Sequence, residues 1–142
     1  MLAWHTPCTS AAATLSHPLP GDNFKGKPVK CLAYEAYTSG AVAHMQRLAL
    51  DTLASSDVQH VELAHRVGVV PAGEPSLLVA CSSCHRADCQ DQTSKLINLI
   101  KAGTPVWKKE VYDDGSTSWK QNCECTAAAH ALAASTAGTS QA

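Results

Sequence analysis

Two stretches of the chain carry apolar residues at the spacing of one helix face. The first is predicted to begin at Ser39-Gly40 and to end at the polar residues 55–57. Its apolar positions recur at i, i+3, i+7 and i+11, as in a helix that packs one side against a core. These positions are Val42, Met45, Ala49 and Leu53.

The second helical stretch lies between a predicted cap at Asp88 or a neighbouring residue and a stop at Gly103. Pro105 prevents the helix from continuing, because proline lacks the amide proton that a helix needs. The stripe that this helix buries is predicted to be Cys89, Thr93, Leu96, Ile97 and Ile100.

The remaining apolar pattern is that of strands. They are predicted at residues 28–37, 58–70, 77–81, 106–112 and 118–120. The second of them alternates apolar residues but breaks near His65, and the third is a continuous apolar run, typical of a strand buried on both faces. Asp114-Gly115 predicts a hairpin turn between the last two. Because strands and helices interleave irregularly, the predicted class is α+β.

Length and composition fit one domain. The chain has 142 residues, of which 45% are hydrophobic, and this suits a single modest core. We assign the domain to residues 22–125. Residues 1–21 are predicted to be a divergent, irregular N-terminal segment, and residues 126–142 an Ala/Ser/Thr-rich tail, helical or disordered.

The charge pattern and the N-terminus restrict partners and compartment. A formal net charge of −1 excludes non-specific electrostatic binding of nucleic acid by the chain as a whole. An anionic ligand must therefore be bound by a few local cations. No apolar run reaches about 18 residues, so no membrane span is expected. The start of the chain has no basic region and no continuous apolar stretch, unlike a secretory signal. Together with an odd number of cysteines, seven, this favours the reducing cytosol.

One segment has the sequence pattern of a covalent haem-attachment motif, namely Cys81-Ser82-Ser83-Cys84-His85. That interpretation requires an oxidising or exported setting, for which the N-terminus gives no signal. A zinc site that adds Cys89, or Cys123 and Cys125, lacks two matched Cys-x-x-Cys knuckles. Since the strand that leads into Cys81 is apolar, an inert buried cysteine is favoured over a metal ligand. We therefore expect no metal.

His85 and Arg86 lie between a predicted strand end and a predicted helix N-terminus. Unpaired backbone N–H groups and the helix dipole favour an anion there, and an arginine adds a fork that matches phosphate. The alternative is a solvated loop in which the histidine caps the helix. Position alone leaves both interpretations open.

Lys101 and Lys108 stand seven residues apart on either side of a Gly-Thr-Pro turn. A lysine at a helix C-terminus is usually a surface charge that complements the dipole. A pair that straddles a turn can instead converge on one pocket, where one lysine binds phosphate and the other exchanges protons or acts as a nucleophile. Lys109 alternates to the opposite strand face.

The helix between the two cationic motifs separates them. A helix of about 14 residues places roughly 20 Å between Arg86 and Lys101. If both ends act on one small substrate, the pocket is shared between two copies of the chain, which predicts a symmetric dimer with two composite sites.

Four segments taken together resemble the large, catalytic subunit of molybdopterin synthase. They are Ala64-His65-Arg66-Val67-Gly68, Pro71-Ala72-Gly73-Glu74, Ser82-Ser83-Cys84-His85-Arg86 and Pro105-Val106-Trp107-Lys108-Lys109-Glu110. Leu32-Ala33-Tyr34-Glu35-Ala36-Tyr37 and Asp114-Gly115 also match, so that the resemblance covers about residues 22–122.

The resemblance implies an α+β fold of the hammerhead type and a sulfurtransferase without a resident cofactor. In that family the large subunit dimerises, and each end of the dimer binds a ubiquitin-like small subunit whose C-terminal thiocarboxylate delivers sulfur to cyclic pyranopterin monophosphate. This forms the dithiolene of molybdopterin. By resemblance, Lys101 and Lys108 are the catalytic lysines, and both also bind substrate. His85 and Arg86 are the substrate-binding pair contributed across the dimer.

The chain departs from the family at its start. The family's arginine just before Asp22 is Gly21 here, residues 1–20 do not match, and the Pro-Met usual after Tyr37 is absent. A missing strand would expose a sheet edge, and a missing arginine would remove an anion contact. A catalytically impaired paralogue that still dimerises and binds the small subunit is therefore the alternative to an active enzyme.

Overall fold

The computed structural model describes residues 2–4, 12–16, 23–24 and 27–120, with side chains for residues 27–119. Within them lie the helices Thr38–Ser55 (α1) and Arg86–Gly103 (α2). The strands are Leu2–Trp4 (β1), Ala12–Ser16 (β2), Asn23–Phe24 (β3), Lys27–Ala36 (β4), Val58–His65 (β5), Gly68–Pro71 (β6), Leu77–Ser83 (β7), Val106–Tyr112 (β8) and Thr117–Lys120 (β9).

The first sheet has the strand order β1-β5-β7-β2 and carries both helices. β5 and β7 are antiparallel and place Val61 opposite Cys81 and Leu63 opposite Val79. These side chains join those of α1 and α2 in the main core. Its fully buried members include Met45, Val61, Leu63, Val79, Cys81, Cys89 and Leu96.

The second sheet has the order β3-β4-β8-β9, and β6 also pairs with β4. Its apolar cluster is small and consists of Val29, Leu32 and Tyr112, with Tyr34 packed against it. The described residues therefore divide into a helix-covered sheet and a second sheet that is joined to it through the chain between β5 and β6 and through the turn between α2 and β8. The predicted α+β class with two main helices is confirmed.

The buried face of α1 differs from the predicted stripe. Ala41, Met45, Ala49 and Thr52 are buried, whereas Val42 and Leu53 are only half-buried. Met45 and Ala49 are thus buried as predicted, and the small residues Ala41 and Thr52 take the buried positions predicted for Val42 and Leu53.

The predicted strand at residues 58–70 is two strands in different sheets. β5 ends at His65 and β6 begins at Gly68, where φ is +82°, a conformation that glycine adopts at no steric cost. The alternation consequently restarts in a new frame. Val61 and Leu63 are buried as predicted, but Val67 and Val69 are exposed.

The N-terminal segment contributes strands that the sequence pattern did not indicate. β1 pairs with β5 and β2 pairs with β7, both antiparallel, so the two outer positions of the first sheet are occupied. Within the described residues, the segment 1–21 that was predicted to be irregular therefore contains two strands. Gly21 and the predicted tail at 126–142 lie outside the described residues. Within the described part of the chain, neither helix has the length and apolarity that a membrane crossing requires.

Candidate functional site

Lys101 lies in the last turn of α2. The helix buries Cys89, Thr93, Leu96 and Ile100, so that four of the five predicted stripe residues are buried and Ile97 is half-buried beside them. Lys101 directly follows Ile100 and is half-buried at the margin of this face. Its ammonium group adds positive charge where the helix dipole is negative.

Lys108 lies on β8, opposite Tyr34 of β4. Directly opposed side chains on an antiparallel pair share a face, with their Cβ atoms about 5 Å apart. By alternation, Lys108 also shares that face with Glu110, which is buried and accepts a 2.6 Å hydrogen bond from the Tyr112 hydroxyl. This hydrogen bond raises the pKa of Tyr112. Lys108 therefore shares a face of the second sheet with Tyr34 and with the buried residue Glu110.

A short turn joins the two lysines. The Thr104 N–H donates to the Ile100 carbonyl oxygen at 3.0 Å and closes α2, and the Val106 N–H donates to the Thr104 carbonyl oxygen at 2.7 Å. The N–H of Tyr37, the N-cap of α1, donates to the Pro105 carbonyl oxygen at 3.1 Å. The turn is thus fixed by hydrogen bonds at each of its residues.

His85 and Arg86 stand at the other end of α2, and both are exposed. His85 is the N-cap in an extended conformation, and its side chain makes no capping hydrogen bond. Asp88, predicted as the cap, lies instead in the first turn, where its carboxylate complements the helix dipole. The backbone between β7 and α2 is held by the buried residue Ser83, whose hydroxyl donates a hydrogen bond of 2.6 Å to the His85 carbonyl oxygen. The side chains of His85 and Arg86 are both exposed to solvent.

The structure does not bring the two cationic ends together within one chain. Arg86 begins α2 and Lys101 lies in its last turn, so about 22 Å of helix separates their Cα atoms. The predicted separation of Arg86 from Lys101 by the length of α2 is confirmed. Lys101 and Lys108 lie on either side of one short turn, whereas His85 and Arg86 lie at the opposite end of α2.

The residues of the Cys-x-x-Cys-His motif do not converge on one site. Cys81 is buried in the main core, and burial raises the pKa of its thiol. Cys84 is exposed and lies 3.1 Å from the Gln59 amide nitrogen. Within residues 27–119, no group of three or more His, Cys, Asp or Glu side chains has the arrangement of a metal site. Cys123 and Cys125 lie outside the described residues.

A polar cluster near Lys108 was not predicted. The ring of His65 meets Tyr34 edge-on, with the centroids 5.1 Å apart, and the Tyr34 hydroxyl is hydrogen-bonded to Ser76. Since a carbonyl oxygen only accepts, the His65 Nδ1 that lies 2.7 Å from the Arg66 carbonyl oxygen carries a proton. Burial lowers the pKa of His65 and raises that of Tyr34. Both groups are therefore favoured in their neutral forms.

Sequence comparison assigns the family. The family model described as MoaE protein matches residues 19–103, which include His85, Arg86 and Lys101 and end before Lys108. The chain belongs to this family. The molybdopterin synthase catalytic subunit of Taeniopygia guttata is 46% identical over 105 residues, 73% of this chain and 67% of that protein. The Bos taurus protein of the same name is 42% identical over 104 residues and is covered to 55%.

Solved structures give the same fold. Molybdopterin synthase from Staphylococcus aureus matches with a TM-score of 0.74 and 25% identity, over 80% of this chain and 82% of that one. One chain of a complex of subunits 1 and 2 of molybdopterin-converting factor from Helicobacter pylori matches with a TM-score of 0.67 and 15% identity, over 80% and 74%. The chain spans between 52% and 67% of the first three curated relatives that it matches.

Proposed function

We propose that this MoaE-family chain is the catalytic subunit of a molybdopterin synthase, a cytosolic sulfurtransferase of molybdenum cofactor biosynthesis. The observation that carries the proposal is the identity of 42% to 46% with catalytic subunits of that name over 73% of the chain. The sulfur donor is the C-terminal thiocarboxylate of a ubiquitin-like small subunit, and the acceptor is cyclic pyranopterin monophosphate.

The charges of the site suit two anionic reactants. The thiocarboxylate and the phosphate ester are both negative, while the chain as a whole carries a formal charge of −1. Attraction must therefore come from local cations, and Arg86, Lys101 and Lys108 supply them. The exposed guanidinium of Arg86 offers a bidentate fork to phosphate, and each lysine ammonium offers a compact charge.

The lysine pair fits the chemistry of sulfur transfer. The thiocarboxylate sulfur bonds to a carbon of the substrate while a carbon–oxygen bond at that carbon breaks, so that the oxygen leaves with the electron pair of that bond and a thioester forms. Water then adds to the acyl carbon, and the acyl–sulfur bond breaks to leave sulfur on the substrate and a carboxylate on the small subunit. Negative charge develops on the acyl oxygen during this hydrolysis, and Lys101 and Lys108 are proposed to stabilise it. His85 is proposed to bind substrate and to assist proton transfer.

The distance between the two cationic groups supports an assembly of two copies. Because α2 holds Arg86 and Lys101 about 22 Å apart, one protomer supplies the lysines and its partner supplies His85 and Arg86. Each end of this dimer then binds one small subunit, and the result is a heterotetramer. The structural match to one chain of a complex of subunits 1 and 2 of molybdopterin-converting factor from Helicobacter pylori supports the small-subunit partner.

Gly21 motivates a second candidate. The residue stands where the resembled family has an arginine, so one anion contact is absent from the sequence. A chain that dimerises and binds the small subunit without turning over is therefore the alternative function.

An assay of product formation decides between an active molybdopterin synthase subunit and an impaired paralogue. The purified chain is mixed with thiocarboxylated small subunit and cyclic pyranopterin monophosphate, alongside Lys101→Ala and Lys108→Ala. Each variant is expected to lose about 10²-fold or more in rate, as when one oxyanion donor is removed. The matched controls are Lys95→Ala, an exposed lysine on the same helix, and Lys109→Ala, on the opposite strand face.

The two candidate functions predict different results in this assay. Turnover that collapses in the two lysine variants but not in the controls supports the enzyme. A stable complex with the small subunit and no turnover of the unmodified chain supports the impaired paralogue.

A further inference from the structure

A histidine on α1 contacts the turn that joins the two lysines. His44 Nδ1 lies 3.0 Å from the Thr104 hydroxyl oxygen, sixty residues further along the chain. Thr104 is buried and is the C-cap of α2. The backbone of Thr104 thus closes the helix, while its side chain is held by a different helix.

The same histidine ring also lies against the last residue of α2. A Cβ atom placed on Gly103 would come within 3.0 Å of both Cε1 and Nε2 of His44, closer than real Cβ atoms ordinarily approach. A side chain at this position would therefore require the histidine ring to shift by a few tenths of an ångström. The ring of His44 thus contacts the Thr104 hydroxyl and occupies the space that a side chain at Gly103 would need.

These contacts fall between Lys101 and Lys108. The direction of the chain after Gly103 sets the angle between the helix that carries Lys101 and the strand that carries Lys108. The Tyr37–Pro105 hydrogen bond of 3.1 Å fixes one side of this turn, and the histidine fixes the other. A small rotation at Thr104 would move the two ammonium groups relative to each other.

We propose that His44 is a positioning residue for the lysine pair: it holds Gly103 and Thr104 so that Lys101 and Lys108 converge on one reacting group. This inference rests on the proposed function. Desolvation, and secondarily the charge of Arg47, lower the pKa of His44, so that the ring is neutral at neutral pH and retains one N–H donor and one acceptor nitrogen. Either tautomer can hydrogen-bond the threonine hydroxyl, which both donates and accepts.

The variants that test the role are His44→Ala, Thr104→Val and their combination. Misplacement of catalytic groups by about 1 Å costs up to about 10²-fold in rate, so each single variant is expected to lower kcat by about 10- to 10²-fold. The KM for the thiocarboxylated small subunit stays within about twofold, because no binding contact is removed. The double variant is no slower than the slower single variant, since both remove one interaction.

Two further variants separate positioning from mere folding. His44→Asn places an amide near the position of Nδ1 and is expected to recover most of kcat. Gln46→Ala changes an exposed residue of the same helix and serves as the control. The inference would be overturned if His44→Ala both raised KM and lowered kcat, and if His44→Asn recovered neither.

A second measurement does not depend on turnover. The lysines are reductively methylated with carbon-13, and the resonances of Lys101 and Lys108 are compared between the unmodified chain and His44→Ala. Both are expected to move, while that of exposed Lys95 stays in place. If the unmodified chain shows no turnover, the proposed enzyme function fails and these resonances alone decide the role of His44. Unmoved resonances would refute it.

Discussion

Mixing two inactive variants tests whether the site is divided between protomers. Arg86→Ala removes the cation at the N-terminal end of α2, and Lys101→Ala removes the cation at its other end. Since about 22 Å of helix lies between these positions, no side chain rotation brings both to one small substrate within a single chain. In a dimer with composite sites, one protomer of a mixed pair supplies an intact Arg86 and the other an intact Lys101.

The size of the recovery follows from the symmetry. Equal amounts of two variants, co-refolded or co-expressed, form mixed dimers at about half of the total by random pairing. Each mixed dimer has one site with both residues intact and one site with neither. The mixture is therefore expected to recover about a quarter of the wild-type rate, although each variant alone is lower by about 10²-fold.

The assay is product formation with saturating thiocarboxylated small subunit. Its control is the pair Lys101→Ala and Lys108→Ala, whose changed residues lie on the same side of the composite site. That mixture is expected to stay inactive, because every site of a mixed dimer lacks one lysine. Failure of the arginine–lysine mixture to recover, in a preparation shown to contain mixed dimers, would refute the divided site.

Three further predictions concern stability and reactivity. Leu96→Ala empties a fully buried core position and is expected to lower the free energy of unfolding by about 2–5 kcal/mol in urea denaturation, whereas Leu50→Ala, at a position 56% exposed, changes it by about 0.5 kcal/mol or less. Because burial lowers the pKa of His65 below 6.5, the folded state binds fewer protons than the unfolded one. The free energy of unfolding therefore falls as pH drops below 6.5 and through the lower folded-state pKa, and His65→Gln flattens this slope; an unchanged slope would contradict the burial argument. In the native protein a thiol reagent is expected to modify exposed Cys84 quickly and buried Cys81 only on unfolding, and equal rates would show that the core around β7 opens readily.

Local patterns in the sequence predicted the elements that carry the candidate residues. α2 was predicted well because its stop at Gly103 and its buried stripe are both local features. The helix length then separated Arg86 from Lys101 without any tertiary information. The face of α1 was predicted less well, since both Val42 and Ala41 fit an apolar stripe, and only the packing against β5 selects the smaller residue.

Contacts between distant parts of the chain left no such local pattern. His44 and Thr104 are sixty residues apart, and neither residue type at its position indicates the other. Tyr34 lies opposite Lys108 because of the register between β4 and β8, which alternation within each strand does not fix. The N-terminal strands were missed because residues 12–16, rich in small residues, show no alternation between apolar and charged side chains.

The division into two sheets bears directly on the lysine pair. Lys101 belongs to α2, which packs on β7 of the first sheet, and Lys108 belongs to β8 of the second. The separation of their ammonium groups therefore depends on how the sheets are joined as well as on the turn at Thr104. At that junction the ring of Tyr34, from the second sheet, meets His65 at the end of β5, and the Tyr34 hydroxyl binds Ser76 just before β7. Tyr34, His65 and Ser76 thus link the two sheets that carry Lys101 and Lys108, and the geometry of the proposed site depends on this junction as well as on the two lysines.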